Sequence, residues 1–220
     1  MRVLKVASGA IVVAFALLSP ANAQEHKSEV ERAAELMRAG EPEKSLVLVE
    51  PIIAQAMLTS AKRPTAICPG VAAAILQSYM KGAITATVEN DWCEAMLVKG
   101  YALNELKRHA EAERVLEVLT HHDTGNAQYL NEYAYTVRLN GGLERSLDLY
   151  RRAEKLASKL PDRASADHWR AVALRGQGYA LVELGRWDEA KKAYETSFKY
   201  EPANEIARHE LQYIEENRPD

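Results

Sequence analysis

Residues 171–204 read AVALRGQGYALVELGRWDEAKKAYETSFKYEPAN, and this stretch decides the fold. Leu174, Gly178 and Leu181 lie four and three residues apart, so they share one face of a helix. Gly185 interrupts the pattern, and a second helical face follows in Ala190, Tyr194 and Ser197. Two helices approach closely only where one of them has no side chain in the way, and a bulky neighbour then fills the adjacent groove. Small beside large at this spacing predicts a helical hairpin.

Working outward, the same columns recur upstream. Windows starting at Cys93 and Ala127 are 34 residues apart, and the window at Ala171 follows after 34 and a further ten. The first helix of each carries Met96, Leu130 and Leu174, then the small column Gly100, Ala134 and Gly178, then Leu103, Val137 and Leu181. After a turn at Lys107, Gly141 or Gly185, the second helix carries Ala112, Ser146 and Ala190, then Leu116, Tyr150 and Tyr194, then Leu119, Ala153 and Ser197. A repeated unit that cannot bury its apolar face alone implies an array.

This pattern resembles the tetratricopeptide repeat, most closely in the last window, where Leu174, Gly178, Leu181, Gly185, Trp187, Ala190, Tyr194, Ser197 and Pro202 occupy the family's signature columns. The resemblance implies an all-α, right-handed superhelical solenoid of antiparallel helix hairpins. One column that the family usually fills with leucine holds Lys99, Tyr133 and Gln177. Such residues suit that seam if stem and ring lie along it with their polar tips in water.

The organisation predicted from these columns is as follows. Residues 24–58 form a degenerate N-terminal hairpin, matched by Ala33, Leu36, Gly40, Pro42, Ser45, Val49 and Ile52, with Pro51 expected to kink or break its second helix. Residues 59–92 are irregular or a degenerate repeat, with a loop at Pro64, Pro69 and Gly70, a short helix over Val71 to Lys81, and Asp91 and Glu94 as a capping box for the next repeat. Repeats follow at 93–126, at 127–170 with an extended helix and loop around Leu160, Pro161 and Asp162, and at 171–204. Residues 205–220 supply a capping helix and tail, with Ile206, Tyr213 and Ile214 as an apolar stripe among charges.

The first residues point to export. Arg2 and Lys5 precede an apolar run from Ile11 to Leu18, then Pro20 and the triplet Ala21, Asn22, Ala23, the pattern of a secretory signal peptide over 1–23. The run is shorter than the roughly 20 residues that span a bilayer, so cleavage near Ala23 and a periplasmic or secreted chain without an integral membrane segment are expected. The formal net charge of −3 becomes about −5 once Arg2 and Lys5 are removed. Lys and Arg are interleaved with Glu and Asp along the helices, as on solvated faces rather than on the basic face a nucleic-acid partner requires.

Cys68 and Cys93 are the two cysteines, and an oxidising compartment favours a disulfide between them, worth roughly 3 kcal/mol for a loop of this length. The alternative is a reactive thiol at Cys68 ahead of a helix N-terminus. His121, His122 and Asp123 form the one compact group of metal-ligating residue types. Adjacent loop residues seldom converge on one ion, so an exposed loop or adventitious divalent-metal binding are the two readings, and no metal site is assigned. No nucleophile elbow, zinc-protease helix, phosphate loop or deaminase signature occurs, so no catalytic residue and no cofactor is assigned and the chain is read as non-catalytic.

The distinctive constellation is Tyr101, Tyr135 and Tyr179, one residue after the small column in each window. In tetratricopeptide proteins this column faces the concave groove, so the resemblance implies a peptide-binding ladder of three phenols. Leu97, Asn131 and Arg175 lie one turn before it, and Asn104 and Arg138 nearly one turn after. Tyrosine offers a flat apolar face and one hydroxyl at low entropic cost. Alternatively, the rings pack against the neighbouring repeat. Arg138 and Arg175 either read a carboxylate on a ligand or pair with Glu105, Glu132 or Glu183. The expected function is an extracytoplasmic scaffold or adaptor for a protein or peptide partner. The competing readings are a soluble small-molecule or saccharide-binding protein and a self-assembling, homo-oligomeric structural protein.

Overall fold

The structure is a computed structural model that describes residues 28–60 and 87–219. Among the described residues it is all-α: α1 (Glu29–Arg38), α2 (Pro42–Ser60), α3 (Thr87–Glu105), α4 (His109–His122), α5 (Ala127–Leu139), α6 (Leu143–Ala157), α7 (Arg163–Glu183), α8 (Trp187–Ser197) and α9 (Glu205–Asn217). Consecutive helices pack as hairpins, and first helices also meet across repeats, α1 against α3 and α5 against α7. The result is a solenoid of tetratricopeptide-like hairpins with α9 packed on α8 at its end.

Each hairpin closes on the small column. A Cβ built on Gly100 would lie 2.7 Å from Leu116 Cδ2, and one on Gly178 would lie 2.5 Å from the Tyr194 ring. Where the first helix has alanine instead, the facing residue is serine: Ser45 Oγ donates to the Ala33 carbonyl at 2.9 Å, and Ser146 Oγ to that of Ala134 at 2.8 Å. Gly100 and Gly178 thus meet a large side chain, whereas the Ala33 and Ala134 carbonyls accept from a serine. Between repeats the device recurs once more, since a Cβ on Gly176 would come within 2.2 Å of the Tyr150 ring.

The turn column has a uniform backbone. Gly40, Gly141 and Gly185 have φ of 75°, 87° and 73°, and Lys107 adopts the same left-handed conformation at 60°. That geometry ends a helix by returning an amide to the preceding turn. The Arg108, Gly142 and Arg186 amides donate to the Leu103, Val137 and Leu181 carbonyls at 2.8, 2.9 and 2.8 Å. Apolar burial then runs along the stack, from Val30 and Val49 through Leu103, Leu116 and Val137 to Ala173. A C-terminal cluster holds Leu181, Tyr194 and Ile214.

Two local expectations are corrected, and of the kink or break expected at Pro51 the break is excluded. Asp91 does not open a helix: α3 starts four residues earlier, at Thr87. α2 continues through Pro51 to Ser60, so the helix is not broken there. Proline's missing donor costs one hydrogen bond of the ladder, and the buried residues Leu46, Val49 and Ile53 hold the segment against its neighbours. His121 and His122 form the last turn of α4 rather than a loop. The extension around Asp162 lengthens α7, whose N-terminus Asp162 caps by accepting from the Ser165 amide at 2.7 Å. Residues 1–27 and 61–86, with the signal-peptide reading and Cys68, lie outside the described residues.

Candidate functional site

The seam column of Lys99, Tyr133 and Gln177 is polar only at its tips. Lys99 Nζ reaches Glu50 on α2 at 3.4 Å. Tyr133 is 4% exposed, and its hydroxyl donates to Glu117 at 3.0 Å and meets Arg145. Gln177 is buried and its amide nitrogen finds no partner among the described residues. These contacts lie on the side of the second helices. The opposite, first-helix face carries the tyrosine column.

On that face the three tyrosines differ. Tyr101 on α3 donates to Glu132 on α5 and accepts from Gln128, and burial followed by the Glu132 charge pushes its pKa up. Tyr135 is 40% exposed. Tyr179 on α7 packs edge-on against Tyr194 with centroids 5.8 Å apart. Burial, with the Glu210 carboxylate of α9, raises the Tyr179 phenol to about 12.

The guanidinium of Arg138 lies between two of these rings, 5.4 Å from the Tyr135 centroid and 5.3 Å from that of Tyr179, within cation–π range. It is ion-paired with Glu183. Burial works against its charge, but the Glu183 carboxylate more than offsets this and holds its pKa above the usual value. Arg175 is likewise paired, with Glu201 at 2.6 Å. Of the two alternatives for these arginines, the folded chain adopts internal pairing, and Arg138 chooses Glu183 from the three candidates.

Asn104 and Asn131 are turned into the stack. Asn104 Nδ2 donates to Thr136 Oγ1 on α5 at 2.7 Å, and Asn131, 2% exposed, donates to the Trp169 carbonyl on α7 at 3.4 Å. Tyr101–Glu132, Asn104–Thr136, Arg138–Tyr179 and Tyr179–Glu210 thus tie α3 to α5, α5 to α7 and α7 to α9.

Leu97 and Tyr101 have a different setting. They line a cavity of about 450 Å³ between α1, α3 and α5, together with Val30, Ala34, Met37, Val98 and Tyr129. Glu31, Arg38, Glu94 and Gln128 supply its polar part. Sequence reasoning missed the α1 and α5 contributions. Val30 and Met37 stand seven residues apart, which places them on one helical face, but no periodicity says that this face meets Tyr129 across the next repeat.

Glu132, which the sequence offers only as a candidate partner for an arginine, sits one turn after Gln128. Burial outweighs the hydrogen bond from Tyr101 and lifts its carboxyl to about 6. Cys93 is buried, 1% exposed, on α3. No group of three or more potential metal ligands occurs among the described residues, and no described helix is long and apolar enough to cross a membrane.

No protein-family model and no curated protein matches the chain. Solved structures similar to it include tetratricopeptide-like repeats from a chain assigned as a Podosopora anserina kinesin light chain. That match is at 14% identity, covers 86% of this chain and 92% of that one, and has a TM-score of 0.44. Another is a Bacteroides ovatus protein described as protein-binding, at 11% identity, 84% and 94% coverage and a TM-score of 0.40. The chain's own geometry defines the fold: among the described residues, repeated hairpins closed on small residues and left-handed turns at fixed spacing form a solenoid of tetratricopeptide-like hairpins.

Proposed function

We propose that this protein is an exported, non-catalytic scaffold that holds an extended segment of another polypeptide on its first-helix face. The observation that carries the reading is the apolar cavity lined by Leu97 and Tyr101 on a face that otherwise carries polar links between helices. A cavity of about 450 Å³ accommodates a large side chain with room to spare, and buried anchors of this kind dominate the energetics of protein recognition. Tyr135, the open member of the column, extends the contact surface beyond it. Export is supported by the n-region, apolar run and A-x-A triplet of residues 1–23. Pairing of Cys68 with Cys93 belongs to the same reading: the unreduced protein should take up no thiol reagent, and uptake of two equivalents would exclude the bond.

The test is site-specific photo-crosslinking in the producing cell. A photoreactive side chain at Met37 or Tyr135 should join the protein to polypeptide partners, and one at Val118, exposed on the second-helix side, should not. Equal labelling from all three positions, or loss of no adduct on Leu97→Gln, would remove the assignment of this face.

A further inference from the structure

A second cavity, of about 620 Å³, opens on the second-helix side between α4, the turn that follows it and α6. The buried side chains Leu130 and Leu149 form its floor. His121 and Asp123, from the histidine–aspartate group that the sequence singles out, stand in its wall.

The two ends of this cleft differ in what their charged groups already hold. At one end the charges are matched. Arg145 on α6 pairs with Glu113 and Glu117 on α4, and Glu117 also accepts from the Tyr133 hydroxyl. Asp148 pairs with Arg151 at 3.4 Å rather than with Arg152 one turn on. Helices α4 and α6 are both second helices and run the same way, so Arg152, about 10 Å along α6 from Arg145, comes level with Thr120, His121 and Thr124 of the cleft wall.

At that end the binding groups are unused. Arg152 is exposed, and its guanidinium makes no hydrogen bond or ion pair among the described residues. The Thr124 hydroxyl is likewise without a partner there. His121 Nδ1 lies 2.8 Å from the Glu117 carbonyl. A carbonyl only accepts, so Nδ1 carries the proton and Nε2 of the neutral ring is left as an acceptor. Asp123 is turned onto its own loop, where it accepts from the Gly125 amide at 3.3 Å and from Asn126 Nδ2 at 3.2 Å, and a carboxylate has lone pairs beyond these two.

A guanidinium with all its donors unspent matches a planar carboxylate. The remaining lone pairs of His121, Thr124 and Asp123 match hydroxyl donors. A simple anion would leave those acceptors idle and lie against Asp123, a cation would meet Arg145 and Arg152, and an apolar molecule would strip water from every one of these groups. We propose that the cleft binds a sugar acid, a small ring that carries one carboxylate beside several hydroxyls. The carboxylate lies on Arg152, the hydroxyls on His121, Thr124 and Asp123, and the C–H face of the ring over Leu130 and Leu149. The cleft has room for a single sugar ring with bridging water. It lies on the side opposite the first-helix face and does not depend on the reading of that face.

The probes are glucuronate, which has both kinds of group, glucose, which has the hydroxyls alone, and acetate, which has the carboxylate alone. Each is titrated into the full chain and followed by nitrogen-edited NMR at the Thr124 amide and the Arg152 Nε–H. Glucuronate should shift both signals and bind about tenfold more tightly than glucose or acetate. Arg152→Gln should bring glucuronate down to the level of glucose, with an unchanged melting curve because Arg152 has no partner to lose. Lys199→Gln removes the same charge from an exposed position outside the cleft wall and should leave the glucuronate affinity as it is.

If glucuronate moves neither signal, the cleft is not a sugar-acid site. Acetate binding as tightly as glucuronate would reduce it to an anion site without hydroxyl recognition, and glucose doing so would remove the role given to Arg152; either result overturns the proposal. Equal weakening by Arg152→Gln and Lys199→Gln would trace the attraction to diffuse charge and overturn it as well.

Discussion

At the scale of single residues, the repeat columns act as internal controls for one another. Four equivalent turn positions adopt positive φ, three of them glycine and one Lys107. A side chain in that conformation costs about 1 kcal/mol, partly offset because glycine loosens the unfolded chain. Lys107→Gly should therefore stabilise by about 0.5 kcal/mol, and Gly40→Ala, which meets nothing within 4 Å, should destabilise by about 1 kcal/mol through backbone strain alone. Chemical denaturation of the two variants checks both signs.

Gln177 stands where the related repeats favour leucine and leaves its amide nitrogen unpaired. Gln177→Leu should raise stability by about 1 kcal/mol, read from the same denaturation midpoints. Glu132 gives a pH signature. Its carboxyl is raised to about 6 from an ordinary 4.5, so the native state binds the proton more tightly, and stability falls as pH rises through this window. Relative to the wild type, Glu132→Gln should be neutral near pH 4.5 and more stable by roughly 2 kcal/mol at pH 7. Melting profiles of the pair that run parallel across this range would contradict the assignment.

At the scale of the element, hairpin closure depends on where side chains are absent. The glycine column was legible in the sequence because its spacing repeats, but the partner of each glycine was not. Leu116 seals Gly100 and Tyr194 seals Gly178 within a hairpin, whereas Tyr150, in the same column, reaches across to Gly176 in the next repeat. Gly178→Ala gains up to about 1 kcal/mol of helix propensity but places a methyl against a ring that is fully buried. Overpacking costs about 1–3 kcal/mol and wins here because Tyr194 has nowhere to retreat. A net loss of about 1–2 kcal/mol is expected in equilibrium unfolding. The helix boundary at Asp91 was misplaced for a related reason: a local capping signature competes with helix continuation, and here α3 continues through it.

At the scale of the whole molecule, a solenoid is held by nearest-neighbour interfaces, so damage stays local. Ile214 of α9 is 1% exposed and packs in the C-terminal cluster with Leu181 and Tyr194. Ile214→Ala should cost about 2–4 kcal/mol, and amide exchange should accelerate in α7–α9 first, with α1–α3 little changed. Uniform acceleration along the chain would show that the array unfolds as one unit.

The sequence by itself determined the repeat, the two-helix unit and the turn positions, because each follows from spacing along one chain and the sterics of small against large residues. Only the tertiary structure decided which members of the tyrosine column are available. Tyr179 and Arg138 are spent on ties between repeats, Tyr135 stays open, and Leu97 and Tyr101 gain a cavity from Val30, Met37 and Tyr129. The reason is physical: burial and ion pairing depend on which helices of different repeats come to face one another, and a distance across α1, α3 and α5 is not a distance along the chain.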